Sequence, residues 1–321
     1  MKNLHKSLYK KIYKIRKVEQ KISKIYKEEE IRCPVHLSIG QEAVAAGVCE
    51  ALNNRDKIIS THRSHAHYIA KGGNLKSMIT ELYGKKDGCA MGLGGSMHLQ
   101  DLSEGIVASV PIVGSTIPIG VGLSFYPNNN AKKRKNVTVI FFGEGATEEG
   151  VFHESINFAS LHNLPILFVC ENNLYSVYTS LDKRQSSKRN IKKLVESNGI
   201  ESYVSNGNNA LEVYALAKKC LKKIRTKSKP IFLEFKTYRW LEHCGPNFDN
   251  HLNYRPKGEL NKWLKKCPLK IIKKKFNSNS KRKILDSIEK KIDHEILQAF
   301  NFAKKSSFPK KNILTKYIYS K

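Results

Sequence analysis

Residues 137–176 read VTVIFFGEGATEEGVFHESINFASLHNLPILFVCENNLYS. One apolar run, Val137 to Phe142, ends at Gly143-Glu144-Gly145; a second, Leu164 to Cys170, ends just before Asn172-Asn173. Both runs are unbroken rather than alternating, as expected of strands buried on both faces. Thr147 to Leu161 between them reads as a helix. Strand, helix and strand make one β-α-β unit with a carboxylate at the end of the first strand and an amide at the end of the second. The fold class that follows is α/β, a doubly wound and mostly parallel sheet with helices on both faces.

Outward from this unit, Lys57 to Ser60 (KIIS) and Pro230 to Lys236 (PIFLEFK) read as further strands, and Ser38 to Ala51, Leu75 to Gly84 and a segment after Pro111-Ile112-Val113-Gly114 as helices. His62-Arg63-Ser64-His65-Ala66-His67 falls in a loop after the first of these strands, and Gly92 to His98 forms a glycine-rich loop. Residues 4–31 carry Leu8, Ile12, Ile15, Val18, Ile22 and Ile25 at helical spacing, which predicts an amphipathic helix with a solvated basic face. Cys33-Pro34 ends it. Helical periodicity returns over 281–305 after a short linker candidate, KFNSNSK at 275–281. The expected organisation is an N-terminal helix (1–31), an α/β domain (32–274) and a C-terminal helical extension (275–321).

No apolar run approaches the ~18 residues that span a bilayer, and the lysine-rich N-terminus lacks a signal peptide's apolar stretch. Seven cysteines, an odd number without a CxxC pair, fit reduced thiols and a cytoplasmic protein. The formal net charge of +29 would suit a polyanion. However, the lysines are spread along the chain, without a nucleic-acid-reading motif or interleaved stacking aromatics. Isoleucine, asparagine and lysine are abundant together, which points to compositional drift first and electrostatic docking on an acidic partner second.

Ligands of open α/β sheets sit outside the carboxyl ends of the strands. There, a carboxylate and an amide oxygen beside glycines that admit backbone N–H groups suit a Mg²⁺-bridged diphosphate. The surrounding residues sharpen this. GEGATEEGVFHESINFASLHNLPILFVCENNLYS resembles the thiamine-diphosphate motif of the alpha subunit of the decarboxylating component of 2-oxo acid dehydrogenase complexes, a family that includes pyruvate, branched-chain and acetoin dehydrogenases. The resemblance runs from about Leu8 to Pro309.

It implies thiamine diphosphate as cofactor, with Glu144, the Asn173 amide oxygen and the Tyr175 carbonyl as Mg²⁺ ligands. Relatives normally carry Asp where this chain has Glu144, whose extra methylene moves the carboxylate outward by roughly 1.5 Å. By resemblance His62 and Arg63 contact the diphosphate, with Gly145 and Ala146 offering N–H groups at a helix N-terminus. Pro111, Ile112 and Val113 match the loop whose backbone holds the aminopyrimidine ring; Pro111 keeps only its carbonyl for this. His36 matches a histidine facing the substrate carboxylate, His243 matches one near the diphosphate and the reactive ring, and His65 is a third candidate for catalysis. For His67, His98, His153 and His162 a structural role is the plainer reading.

After Tyr238-Arg239 the chain departs from relatives, with Trp240, Leu241, Glu242 and Cys244. Cys244 stands where some relatives have a phosphorylated serine, and the altered loop suggests a different substrate or acyl acceptor. The carboxylate that activates the cofactor sits on a separate beta subunit in this family, so the resemblance implies an α₂β₂ heterotetramer. The expected reaction is oxidative decarboxylation of a small 2-oxo acid, pyruvate first and acetoin second, with acyl transfer to a lipoyl-bearing acyltransferase component. A specialised biosynthetic enzyme, a non-catalytic scaffold and a nucleic-acid binder are the rivals; neither nucleic acid nor membrane is expected as a partner.

Overall fold

The computed structural model describes residues 2–126 and 136–316. In chain order its elements are α1 (Lys2–Ile25), α2 (Glu42–Glu50), β1 (Lys57–Ser60), α3 (His65–Lys71), α4 (Leu75–Leu82), β2 (Ile106–Ser109) and α5 (Thr116–Phe125). Then come β3 (Thr138–Gly143), α6 (Gly150–Leu161), β4 (Ile166–Asn172), β5 (Tyr175–Ser176), β6 (Thr179–Ser180), α7 (Leu181–Arg184) and α8 (Ile191–Glu196). The chain continues through β7 (Glu201–Asn206), α9 (Ala210–Lys227), β8 (Ile231–Lys236), α10 (Glu259–Leu264), α11 (Pro268–Lys273), α12 (Asn279–Lys305) and α13 (Ile313–Lys316).

Six strands form one sheet in the order β2-β1-β3-β4-β8-β7, every pairing parallel; β5 and β6 make a separate antiparallel hairpin. Successive residues of the central strands face opposite sides of the sheet. Val139, Phe141, Leu167, Val169, Leu233 and Phe235 enter a large core with α1, α2, α9 and α12. Ile140, Phe142, Ile166, Phe168, Cys170 and Phe232 enter a smaller one with α5, α6 and α8. Both faces are covered, which is why these strands read as continuous apolar runs.

The large core takes in residues of α1, from Leu8 to Ile25, and of α12, from Leu285 to Ala303. Phe276 of the expected linker is buried against Tyr9, ring centroids 5.6 Å apart. The α1 surface is not simply solvated. Arg16 and Glu19 are both buried; Arg16 pairs with Glu42 and lies 4.3 Å above the Trp240 ring, and Glu19 accepts two contacts from the Ser38 N–H at 2.8 and 2.9 Å.

Several boundaries differ from expectation. His65–Lys71 is helical where a loop was expected, and α2 starts at Glu42, leaving Gln41 outside the helix. The helix after Glu144 is interrupted: a five-residue 3₁₀ turn (Glu144–Glu148) precedes α6. The sequence reading assigns no strand to β2 or β7. Both are edge strands: β2 is only four residues, Ile-Val-Ala-Ser, and β7 is half-exposed, without the long apolar run that marks β3 and β4.

Candidate active site

The strand order reverses between β1 and β3, and at this point the carboxyl ends of β1, β3 and β4 open on a cavity. His36, His62, Arg63, Pro111, Val113, Glu144, Gly145, Ala146, Asn173, Tyr175 and His243 all line it. Thus residues separated by some two hundred positions converge because a sheet brings its strand ends into one row.

The 238–246 segment reaches the cavity through a backbone zipper. Trp240 N–H donates to the Ile39 carbonyl at 3.0 Å, Gly245 N–H donates to the Val35 carbonyl at 2.8 Å, and His36 and Gly245 form a bridge. Gly40 makes the close approach possible. Its φ is +101°, and a Cβ there would fall 2.4 Å from the Trp240 ring. Trp240 and Leu241 point into the core, so these departures from the family pattern alter packing beneath the site rather than its wall.

His36, His62 and His243 form one cluster with ring centroids 4.7 to 5.3 Å apart. Burial lowers all three pKa values, with the Arg63 charge adding to it: to about 3 for His36, about 2 for His62 and about 3 for His243. The imidazoles are therefore neutral at physiological pH. Each offers a nitrogen within 4.8 Å of the others, a spacing that would hold a metal. The field there opposes a cation, since Arg63 and Arg239 act on the same group of rings.

Arg63 defines what this wall attracts. Its guanidinium is buried and donates to the Leu37 carbonyl at 2.7 Å and the His243 carbonyl at 3.1 Å. Among the described residues no carboxylate lies at ion-pair distance from it. Burial, then Arg239, depresses its pKa to about 10, which leaves it charged. A buried cation without an anion is costly unless a ligand supplies one.

The opposite wall carries the oxygens. Glu144 Oε2 accepts the Asn173 N–H at 3.3 Å, and Asn173 Oδ1 accepts the Tyr175 N–H at 3.2 Å. Burial raises the Glu144 pKa, against the opposing pull of Arg184. Gly145 and Ala146 head the 3₁₀ turn rather than α6, and a Cβ on Gly145 would meet Ser176 Oγ at 3.0 Å. Gly114, at φ +84°, turns the chain from Pro111-Val113 into α5; Ile112 is 69% exposed beside the cavity.

The model of the dehydrogenase E1 component family matches residues 10–312. The chain belongs to this family. It is 34% identical over 313 residues to the pyruvate dehydrogenase E1 component subunit alpha of Rickettsia felis, covering 97% of this chain and 94% of that one. It is equally identical, over 97% of this chain and 92% of the other, to the alpha subunit of acetoin:2,6-dichlorophenolindophenol oxidoreductase of Bacillus subtilis. A chloroplastic pyruvate dehydrogenase E1 subunit alpha-3 of Arabidopsis thaliana is 34% identical over 292 residues, 89% of this chain and 67% of the relative.

Membership of the E1 family implies thiamine diphosphate, and the cavity fits its diphosphate: a buried guanidinium without an ion-pair partner among the described residues on one side, and a glycine turn with oxygen donors on the other. For Mg²⁺ the donor chemistry is right, a carboxylate, an amide oxygen and a carbonyl. Yet Glu144 Oε1 already accepts Arg184 Nη2 at 2.7 Å.

His65 is placed apart from the cavity. It is fully buried, with Nε2 2.7 Å from Ser96 Oγ and Nδ1 3.6 Å from Glu19. Of the histidines read as structural, His67 is buried, 2.7 Å from Ser60 Oγ and 3.3 Å from Glu171. Gln41, Thr61, Met97, Glu171 and Ser176 also line the cavity and were missed. Nothing in their local sequence marks them; each is brought there by its neighbour in a strand end or loop. Glu81 was missed too: its carboxylate accepts the N–H groups of Ala90, Gly92, Gly94 and Gly95 at 2.7 to 3.0 Å and so shapes the glycine-rich loop behind Met97.

Proposed function

We propose that the chain is the alpha subunit of an α₂β₂ thiamine-diphosphate enzyme that oxidatively decarboxylates a small 2-oxo acid, pyruvate first, and passes the acyl group to a lipoyl-bearing acyltransferase. The observation that carries this is Arg63, buried without a carboxylate, facing the Glu144–Asn173–Tyr175 wall across one cavity. Thiamine diphosphate supplies the nucleophilic carbon and the electron sink. Arg63 and the N–H groups of Gly145 and Ala146 would hold its diphosphate, and Glu144, Asn173 and Tyr175 would hold any bridging Mg²⁺. His36 and His243, neutral and close together, would donate to a substrate carboxylate or move a proton at a ring nitrogen. His62 would add a third donor to the same wall.

The beta partner is supported by incompleteness. Among the described residues the carboxylates lining the cavity are Glu144, paired with Arg184, and Glu171, beside His67; neither is free to activate a cofactor ring. Along α5 and α6, Ile119, Phe125, Phe158 and Leu161 are left exposed, with Phe125 and Phe158 ring centroids 5.3 Å apart. Such a patch suits a protein interface. Cytoplasmic placement is supported by seven unpaired cysteines.

The test is co-expression with the beta partner, followed by ferricyanide reduction with thiamine diphosphate and Mg²⁺ on pyruvate, branched-chain 2-oxo acids, 2-oxoglutarate and acetoin. Turnover of pyruvate alone is the expected result. Turnover of acetoin alone would favour the second reading, which the equal identity to the acetoin relative supports. A stable complex that binds no cofactor would leave only the scaffold.

A further inference from the structure

Glu144, the carboxylate that a bridging metal needs, already has a cation. Arg184 ends α7, just beyond the β5–β6 hairpin. Its Nη2 donates to Glu144 Oε1 at 2.7 Å, its Nη1 donates to Glu148, and its Nε donates to the Thr179 carbonyl at 3.2 Å. The Arg184 side chain is 11% exposed and that of Glu144 2%. The other Glu144 oxygen takes the Asn173 N–H, and Asn173 Oδ1 takes that of Tyr175. A Cβ on Gly145 would lie 3.6 Å from Arg184 Nη1, so the guanidinium sits directly behind the turn that faces the cavity.

A guanidinium bonded to a carboxylate oxygen takes up one of its lone pairs and neutralises part of its charge, so Glu144 Oε1 is a weaker ligand for a divalent ion, and the two cations repel. Arginine stays charged at every accessible pH and holds its partners through a planar fork. It also belongs to the chain, so it is present at unit occupancy whatever the metal concentration. The Glu side chain, longer than the Asp usual in the family, gives its carboxylate added reach.

We propose that Arg184 is a resident cation that competes with Mg²⁺ for Glu144, so that the cofactor's diphosphate binds this chain with little dependence on divalent metal. With Glu144 neutralised from behind, an anion attracted by Arg63 meets no unpaired charge at that carboxylate. This inference rests on the diphosphate reading of the cavity.

The experiment is a thiamine diphosphate titration of the assembled αβ complex, read by calorimetry, in excess Mg²⁺ and in EDTA, for the native chain, Arg184→Gln and Arg184→Lys. The native complex should lose less than about tenfold in affinity in EDTA, and Arg184→Gln on the order of a hundredfold, the worth of a charged hydrogen-bonded pair. Arg184→Lys, which keeps the charge without the fork, should fall between and serves if the glutamine variant fails to assemble. A Mn²⁺ titration by electron paramagnetic resonance should show tighter metal binding to Arg184→Gln than to the native complex. Loss of native binding in EDTA as complete as in Arg184→Gln would overturn the proposal. An intact complex that binds no cofactor even in excess Mg²⁺ would overturn the diphosphate reading, and the inference with it.

Discussion

On one wall of the cavity three neutral imidazoles surround Arg63, a buried cation bonded to carbonyl oxygens; on the other, Glu144 is held by Arg184 and a backbone N–H. The first wall has an unmet demand for an anion, whereas the second has its charge met within the chain. A ligand entering between them is therefore oriented by the histidine wall and shaped by the carboxylate wall. The division follows from architecture. The histidine wall comes from loops zipped together across the molecule, 35–40 against 238–246. The carboxylate wall comes from two neighbouring strand ends in register, where Gly143 of β3 sits beside Glu171 of β4.

The largest expected effect tests the unmet demand. Arg63→Ala should weaken thiamine diphosphate binding to the αβ complex by on the order of a hundredfold or more, measured by titration. Near-native affinity would remove the anion from this wall. A smaller effect separates the walls by pH. The folded pKa values of His36, His62 and His243 lie below the unfolded value near 6.5. The unfolded chain therefore takes up protons first as pH falls. The histidines' contribution to stability is complete above about pH 6.5 and is lost as pH drops toward about 3. Glu144 runs the other way: its raised pKa gives a contribution present in acid and lost as pH rises through its folded value. Melting temperature against pH should fall less steeply below 6.5 in His36→Asn than in the native chain, and identical slopes would count against a neutral cluster. The smallest effect probes the turn. Gly145→Ala places a Cβ 3.0 Å from Ser176 Oγ, which a side chain can relieve by moving; cofactor affinity should fall about fivefold.

Much of this was legible before any coordinates. The central strands are near their expected bounds, β3 over Thr138–Gly143 and β4 over Ile166–Asn172, because strands buried on both faces must be apolar at every position. Edge strand β7 escaped because its half-exposed residues carry no such run, and β2 because its apolar stretch is only Ile106 to Ala108 before Ser109. The helical start at His65 escaped because the polar stretch His62-Arg63-Ser64-His65 and His67 obscure any apolar period, although Arg63, His65 and His67 are buried once α3 packs. Of the expected site residues, those that follow strand ends arrived together, since a strand end fixes its neighbour's position to within a residue. His65 did not, because as the first residue of α3 it turns inward to Ser96.

By itself, then, the chain determined the β-α-β unit, the two-sided burial of its strands and the residue types that meet at their ends. Those properties are local, written in runs and periods that depend only on which face a side chain must take. The tertiary structure alone decided the strand order, the pairing of His36 with His243 and the capture of Glu144 by Arg184. Each joins residues that no spacing relates, through close packing such as Gly40 under Trp240 and through a buried charge finding a partner that the fold had brought within reach.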